Sequence, residues 1–316
     1  MTAYLGLDLG ASNLRAIVGD AEGEVLGRRQ RETPRNGDGE AVVEAVLDAG
    51  REACRRAGVE PAEVAAAGIG TVGPLEPDAG AVLDPVNLPG VDRLDLAEPV
   101  ARRLEADVRL HNDATAAAIG ERFVADGDPA DLVYLTPSTG IGAGVLADGR
   151  VLTGHRGNAG EVGHLTLDPD SSLECGCGSP GHWEALCSGA NLPAHARAIA
   201  AEGVPTDLDL ATADAATLLS AAGRDPVATR LAERMGRWNA VGVATLVQAY
   251  DPERIAVGGA VARNHPETVL GPIREELPER CLTSPPPVEL TELGDEATVR
   301  GALASALTGG TGARAD

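Results

Sequence analysis

The stretch Cys175–Glu184, "CGCGSPGHWE", holds two of the chain's five cysteines, and a histidine follows the second by five residues. His164 lies eleven residues before Cys175. Zinc takes four ligands, usually thiolates and imidazoles, in a tetrahedron. His164, Cys175, Cys177 and His182 make four. The C-x-C spacing is tighter than that of generic zinc sites, and Cys187 could replace His182 as the fourth ligand. Three cysteines in one short segment point to a metal, not to a disulfide framework. Cys54, in a helical pattern, and Cys281, near a proline-rich turn, read as buried or incidental thiols.

Two other stretches have the residue types that bind phosphate. "LDLGASNLRAIVGD" puts Asp8 at the end of a strand and Gly10 in the turn after it. A hairpin there offers backbone amides, Ser12 and Asn13 to phosphate oxygens. Asp8 would hold a hydrated magnesium ion, which needs few carboxylates. "TPSTGIGAGVLADG" (residues 136–149) is a second hairpin carrying Thr136, Ser138, Thr139, Gly140, Gly142 and Gly144. Its alternate glycines strip side chains from one face of a strand, so a ligand or another backbone can come close. Neither is a Walker loop, because no G-K-[ST] follows. "LHNDATAAAIGE" sets Asn112 and Asp113 where a strand meets an alanine-rich helix. Asp113 could simply cap that helix. Aspartate is also the residue that accepts the proton of an attacking hydroxyl in phosphoryl transfer. Glu161 and His164 form a further carboxylate–imidazole pair.

These residues need elements to carry them. Apolar runs at 4–9, 14–19 and 24–32 predict three strands, the first two joined as a hairpin. Val42, Val43, Val46, Leu47 and Cys54 share a face of a helix over 39–57. A strand at 64–70, a helix at 96–105, a strand at 107–111 and a helix at 114–125 follow. Strands at 131–136, 141–147 and 150–153 restart the pattern, the last two joined by Asp148-Gly149. Helices are expected at 188–202, 212–222 and 225–250, then a strand at 254–257 closed by Gly258-Gly259. A last helix at 297–308 should return to the first lobe. This alternation is an α/β fold in two halves, each opening on a strand–turn–strand.

The chain has 316 residues, 48 acidic and 26 basic, for a net charge of -22. Every basic side chain apart from histidine is arginine, and aromatics are 2%. A surface this negative repels nucleic acid. Self-repulsion destabilises a compact acidic chain at low ionic strength, and salt screens it. The composition resembles that of haloarchaeal proteins adapted to a salt-rich cytoplasm, the alternative being an acidic mesophile of high GC content; the absence of lysine and the scarcity of bulky apolar residues favour the former. No apolar run reaches membrane-spanning length, and "MTAYLGLDLG" lacks the basic start of a signal peptide. A cytoplasmic location is expected, with no membrane partner.

Taken together, these motifs resemble the ROK family (repressor, open reading frame, kinase) of the actin-like ATPase superfamily. "LGLDLGASNLRAIVGD" looks like its first phosphate motif, "STGIGAGVLADG" like its second, "VGGAV" like its adenosine segment, and "GNAGEVGH" with "CGCGSPGHWE" like its zinc signature. The resemblance implies two actin-like lobes, 1–112 joined by the helix near 297–316, and 113–296 with a zinc loop at 164–187. ATP, magnesium and a hexose would bind in the cleft. Asp113 matches the general base, and Asn112, Glu161, His164 and Glu184 match residues that hold sugar hydroxyls. Asp8, Gly10, Ser12, Asn13, Thr139, Gly140, Gly142, Gly258 and Gly259 match the nucleotide site. Zinc on His164, Cys175, Cys177 and His182 would be structural, fixing the loop from which His164 and Glu184 reach the sugar. This chain has His182 where the family has a third cysteine, Ser12 where it usually has threonine, and Thr115 where it usually has asparagine. "GTVGPLEPDAG" (70–80) and "NLPG" (87–90) match sugar-side loops loosely.

The expected activity is ATP-dependent phosphorylation of the glucose 6-hydroxyl. N-acetylmannosamine, N-acetylglucosamine, fructose and allose are the alternative substrates. A sugar-responsive transcriptional regulator of the same family is disfavoured: the first phosphate hairpin begins by residue 8, leaving no helix-turn-helix before it, and the charge opposes DNA. A homodimer is expected from the resemblance.

Overall fold

The computed structural model describes residues 2–34, 38–85 and 91–314. The segment 87–90 lies outside them. By packing the chain divides into two compact units: Met1–Ala130 with Gly144–Gly160 and Glu296–Asp316, and Asp131–Ala143 with Glu161–Asp295.

The first unit starts with β1 (Ala3–Leu9), β2 (Asn13–Gly19) and β3 (Val25–Glu32), then α1 (Gly39–Ala57) and β4 (Val64–Thr71). A small antiparallel sheet follows, of β5 (Leu75–Glu76), β6 (Ala81–Leu83) and β7 (Arg93–Asp95). Then come α2 (Ala97–Leu104), β8 (Asp107–Asn112) and α3 (Asp113–Val124). The main sheet has the order β3-β2-β1-β4-β8, with the hairpin strands antiparallel and β1, β4 and β8 parallel. Register aligns Leu9 with Thr71 and Thr71 with Asn112, so the three parallel strands end together. The apolar faces of β1 and β4 bury Leu5, Leu7 and Ile69 against α1, whose Val42, Val46, Ala49 and Cys54 point inward.

The second five-stranded sheet takes β9 (Leu132–Pro137), β10 (Ile141–Ala147) and β11 (Arg150–Val151), followed in the chain by α4 (Trp183–Cys187), α5 (Leu192–Ala201), α6 (Ala215–Ser220) and α7 (Pro226–Tyr250). Next are β12 (Arg254–Val257), α8 (Ala260–Asn264), α9 (Pro266–Arg280) and β13 (Val288–Leu290). Its order, β11-β10-β9-β12-β13, repeats that of the first sheet strand for strand. Asp148 and Gly149 both have positive φ, 51° and 69°, as a two-residue hairpin turn requires. α10 (Ala297–Thr308) belongs to the first unit and crosses β1 and β4 closely, because Gly6 and Gly68 present no side chain to it. α3 packs on α10 through its alanines and sides with the first unit, so the packing boundary falls at Ala130 and not before Asp113.

Several elements depart from the sequence expectation. The helix expected over 188–202 begins only at Leu192, and a separate short α4 precedes it. Residues 188–191 instead turn, and the amides of Gly189 and Ala190 donate to the carbonyls of Ser138 and Thr139 at 2.8 and 3.1 Å. The helix over 212–222 contracts to Ala215–Ser220, capped by the Asp214 side chain on the Thr217 amide. α9 carries Pro272 and Pro278 inside it and was not expected. Its Val269, Leu270, Ile273 and Leu277 are buried, and Pro272 packs against Gly236 of α7, where a side chain would leave no room. β5–β7 and β13 are two- and three-residue strands, too short to register as periodic runs.

Candidate active site

In the first unit the candidate residues gather at the C-terminal ends of the parallel strands. Asp8 is buried on β1, 3.4 Å from the guanidinium of Arg15 on the paired strand. Burial pushes the Asp8 carboxyl up to about 7; the charge of Asp113 raises it further and Arg15 opposes. Gly10 turns the hairpin, donating its amide to the Asn13 carbonyl at 3.0 Å. Ser12 and Asn13 are exposed at its tip. The N-cap of α3 is Asn112, whose side-chain oxygen accepts the Ala114 amide at 2.9 Å. Asp113 is therefore the first helical residue and not the cap, and its Oδ1 also accepts from that amide at 2.8 Å. Thr115 is buried on the same helix. Asn158 ties the 70–80 loop in place: its Oδ1 accepts the Leu75 amide at 3.1 Å and its Nδ2 donates to the Arg156 carbonyl at 2.8 Å. Asn158 stands within the quoted "GNAGEVGH", where an asparagine that holds a loop carries no spacing signal.

In the second unit the turn between β9 and β10 carries Ser138, Thr139 and Gly140. Ser138 and Thr139 line a cavity of about 370 Å³, with Asp214, Ala260, Val261 and His265 among its other walls. Gly258 and Gly259 lead into that wall. Gly259 has φ 75°, and a side chain on it would meet the Pro137 carbonyl; one on Gly258 would meet the Tyr134 hydroxyl. Both glycines thus let the end of β12 press on β9. Gly142 lies two residues along β10.

Sulfur and imidazole groups meet beside this hairpin. The ligand atoms of His164, Cys175, Cys177 and His182 all lie within 4.8 Å of one another. Cys175 Sγ is 3.6 Å from His164 Nδ1, and Cys177 Sγ is 3.4 Å from His182 Nδ1. Tetrahedral zinc bonded to sulfur and nitrogen at ordinary lengths separates such atoms by about 3.6 Å, so the four residues fit that ion. Cys187 points elsewhere, its thiol donating to the Met235 carbonyl at 3.5 Å. The knuckle closes on itself through Cys175 N–H to Ser179 C=O and Gly178 N–H to Cys175 C=O. Burial lifts the Cys175 thiol to about 11, while the Ser179 backbone amide lowers that of Cys177 to about 7. On its other nitrogen His164 faces Glu161, Nε2 to Oε2 4.0 Å, a carboxylate–imidazole arrangement common behind metal ligands. Burial raises the Glu161 carboxyl; His164 opposes and Glu184 adds to the rise.

Glu184, the second residue of α4, was expected only at the sugar. Its Oε2 accepts the Ile141 amide at 3.0 Å, and the Cys175 thiol donates to its Oε1 at 3.4 Å. α4 itself is anchored by Trp183, fully buried against Gly242, with its indole N–H donating to Asn239 Oδ1 at 2.9 Å.

Residues 4–308 match the profile of the ROK family. The chain belongs to the ROK family. A glucokinase of Pyrobaculum calidifontis is 34% identical over 287 residues, 89% of this chain and 86% of that one. An N-acetylmannosamine kinase of Escherichia coli is 34% identical over 260 residues, 81% and 82% of the two chains. The ROK glucokinase of Streptomyces griseus, solved with glucose and AMPPNP, is 32% identical with a TM-score of 0.76, over 96% of this chain and 99% of that one. The ROK chain thus has the actin-like ATPase fold, which accounts for its duplicated strand order. Among its described residues no helix is long and apolar enough to cross a membrane.

Proposed function

We propose that this ROK protein is an ATP-dependent sugar kinase that phosphorylates the 6-hydroxyl of glucose, with Asp113 as general base. The observation that carries the reading is the pair of carboxylates in the first unit. Asp113 opens α3, Asp8 ends β1, and the charge of one raises the pKa of the other. Two acids at the C-terminal ends of β1 and β8, near enough for the charge of one to act on the other, suit a site that takes up a cation and a proton.

In this reading Asp113 accepts the proton of the sugar hydroxyl as its oxygen bonds to the γ-phosphorus of ATP. The bond from that phosphorus to the bridging oxygen breaks, and ADP leaves. Asp8 holds magnesium through water, and magnesium when bound neutralises charge on the phosphate oxygens. Ser12 and Asn13 of one hairpin and Thr139, Gly140 and Gly142 of the other donate to phosphate, and Gly10 lets the phosphate approach the turn. Gly258 and Gly259 let the adenosine approach the backbone. Asn112, Glu161, His164 and Glu184 position the sugar hydroxyls. His164, Cys175, Cys177 and His182 hold zinc, which when bound cross-links the loop. A cytoplasmic homodimer adapted to high salt completes the proposal. The second reading is an N-acetylmannosamine kinase, favoured by a relative of equal identity that carries that name.

A panel of hexoses with ATP, followed by ADP release at low and at high potassium chloride, tests both readings and the salt dependence. Glucose is expected to be the best acceptor, with turnover rising with salt; preference for N-acetylmannosamine transfers the assignment to the second reading. Asp113→Ala is expected to lower kcat about 10²–10⁴-fold while calorimetry still detects sugar binding. Near-normal turnover would remove Asp113 from the role.

A further inference from the structure

The face of the first sheet that carries Asp8 carries a row of residues in register. Asp8 of β1 lies opposite Arg15 of β2 and Gly70 of β4, Arg15 lies opposite Gln30 of β3, and Gly70 lies opposite His111 of β8. Directly opposed residues share a face, so the row reads Gln30, Arg15, Asp8, Gly70, His111. Of these five only Arg15 is positively charged at neutral pH, because burial drives the His111 imidazole down to about 4. Its contact with Asp8, Nη1 to Oδ2, is 3.4 Å, longer than the roughly 2.7–2.9 Å of a tight ion pair. The guanidinium is thus stationed beside the carboxylate without being clamped to it, and 22% of its side chain is open to solvent. Asn13, two residues nearer the hairpin tip, projects on the same face, and its Oδ1 accepts from Gln30 Nε2 at 3.3 Å. A strand rises about 3.3 Å per residue, so an extended arginine at position 15 covers the distance to the turn that holds Gly10, Ser12 and Asn13.

We propose that Arg15 is a further catalytic residue, its guanidinium contacting the terminal phosphate of the nucleotide beside Asp8. This rests on reading the 8–13 hairpin as a phosphate-binding loop and adds to its turn a charge from the strand behind it. A phosphate brought to that turn meets the carboxylates of Asp8 and Asp113 in a chain of net charge -22. A fixed cation at the same place offsets that repulsion. Charge in phosphoryl transfer spreads over the oxygens of the transferred group, and a donor already in position stabilises it without reorganisation. The planar fork of arginine matches phosphate oxygens two at a time, as an ammonium does not, and arginine is the only fixed cation this chain employs.

The test is calorimetric binding of two nucleotides with magnesium, in the absence of sugar: AMPPNP, which carries the terminal phosphate, and ADP, which lacks it. Arg15→Gln is expected to weaken AMPPNP about tenfold or more, as for losing a hydrogen bond from a charged group, and to leave ADP within about twofold. Arg15→Lys keeps a charge opposite Asp8 but not the fork. It should fall between wild type and Arg15→Gln for AMPPNP, again with ADP unchanged, and it decides the question if circular dichroism shows Arg15→Gln to be unfolded. An Asp8→Asn background separates a phosphate contact from a counterion of Asp8: adding Arg15→Gln there should still cost AMPPNP about tenfold. Equal weakening of both nucleotides in a folded variant, weakening of neither, or no further loss in the Asp8→Asn background overturns the inference. Failure of wild type to bind AMPPNP at all overturns the kinase reading itself.

Discussion

The two hairpins that open the two sheets occupy the same place in the same strand order, yet they are built from different chemistry. The 8–13 hairpin carries its charges in its own strands: Asp8 on β1 and Arg15 on β2, 3.4 Å apart. The 137–141 hairpin has no charged residue, and its carboxylate arrives from α4, forty-three residues further along. Its two carbonyls at Ser138 and Thr139 are likewise strapped by amides from the 188–191 turn. Both hairpins are strapped from elsewhere, the first by the Thr33 and Thr71 hydroxyls on the Gly10 and Leu9 carbonyls at 2.8 and 3.0 Å, but only the second imports its carboxylate. A duplicated fold conserves the backbone frame, and each copy finds its own way to satisfy it.

The largest effect expected from this contrast lies in the charges. Asp8→Ala should lower kcat about 10²–10³-fold, in the range for losing a group that organises transition-state charge. Thr139→Ala, which removes a neutral hydroxyl, should cost about tenfold or less. Steady-state kinetics in ATP compares them, and equal losses would erase the distinction between the hairpins.

Acid acts on the first sheet through two buried groups of opposite sign. His111 on β8 is driven down to about 4 by burial, with Arg109 adding, and its Nε2 shares a 2.7 Å hydrogen bond with the buried Ser305 hydroxyl. β13, the strand in the corresponding place, has no histidine. The unfolded chain protonates this imidazole near 6.5 and the folded protein only near 4. Its contribution is therefore intact above pH 6.5 and lost as pH falls from there towards 4. The loss amounts to about 3 kcal/mol. Asp8 opposes it: its carboxyl, raised to about 7, adds stability as pH falls from 7 towards its unfolded value of 3.8. Urea unfolding across that window should therefore show His111→Gln gaining more stability on acidification than wild type does.

A smaller effect tests how firmly the frame seats the general base proposed at Asp113. A Cβ on Gly144 would lie 2.2 Å from the Ala114 carbonyl, one residue after Asp113. Gly144→Ala should destabilise the first unit by about 2 kcal/mol, read as a shifted urea midpoint at unchanged m-value. An unchanged midpoint would mean that β10 does not set the start of α3.

What could be read in advance was local. Asp8-Leu9-Gly10, the Asn112-Asp113 junction and the cysteine knuckle announce themselves because their chemistry depends on near neighbours in the chain. The grouping of His182, and not Cys187, with His164, Cys175 and Cys177 follows from where the chain folds, since the spacings of both are compatible with a metal. α9 escaped because its two prolines act as helix breakers in isolation, and only Gly236 across the interface makes room for one of them. The helix expected from 188 starts four residues later because two of those residues, Gly189 and Ala190, strap another loop.

From its order of residues alone this chain specified alternating strands and helices, two glycine-bearing hairpins, a four-ligand cluster and an acidic surface. Those features arise from periodicity, turn chemistry and composition, which act over a few residues at a time. The third dimension decided which helix packs on α3, where Glu184 spends its carboxylate, and how two sheets come to share one strand order. Such choices depend on atoms tens of residues apart competing for the same hydrogen bonds and the same space, and that competition is settled only when the core closes.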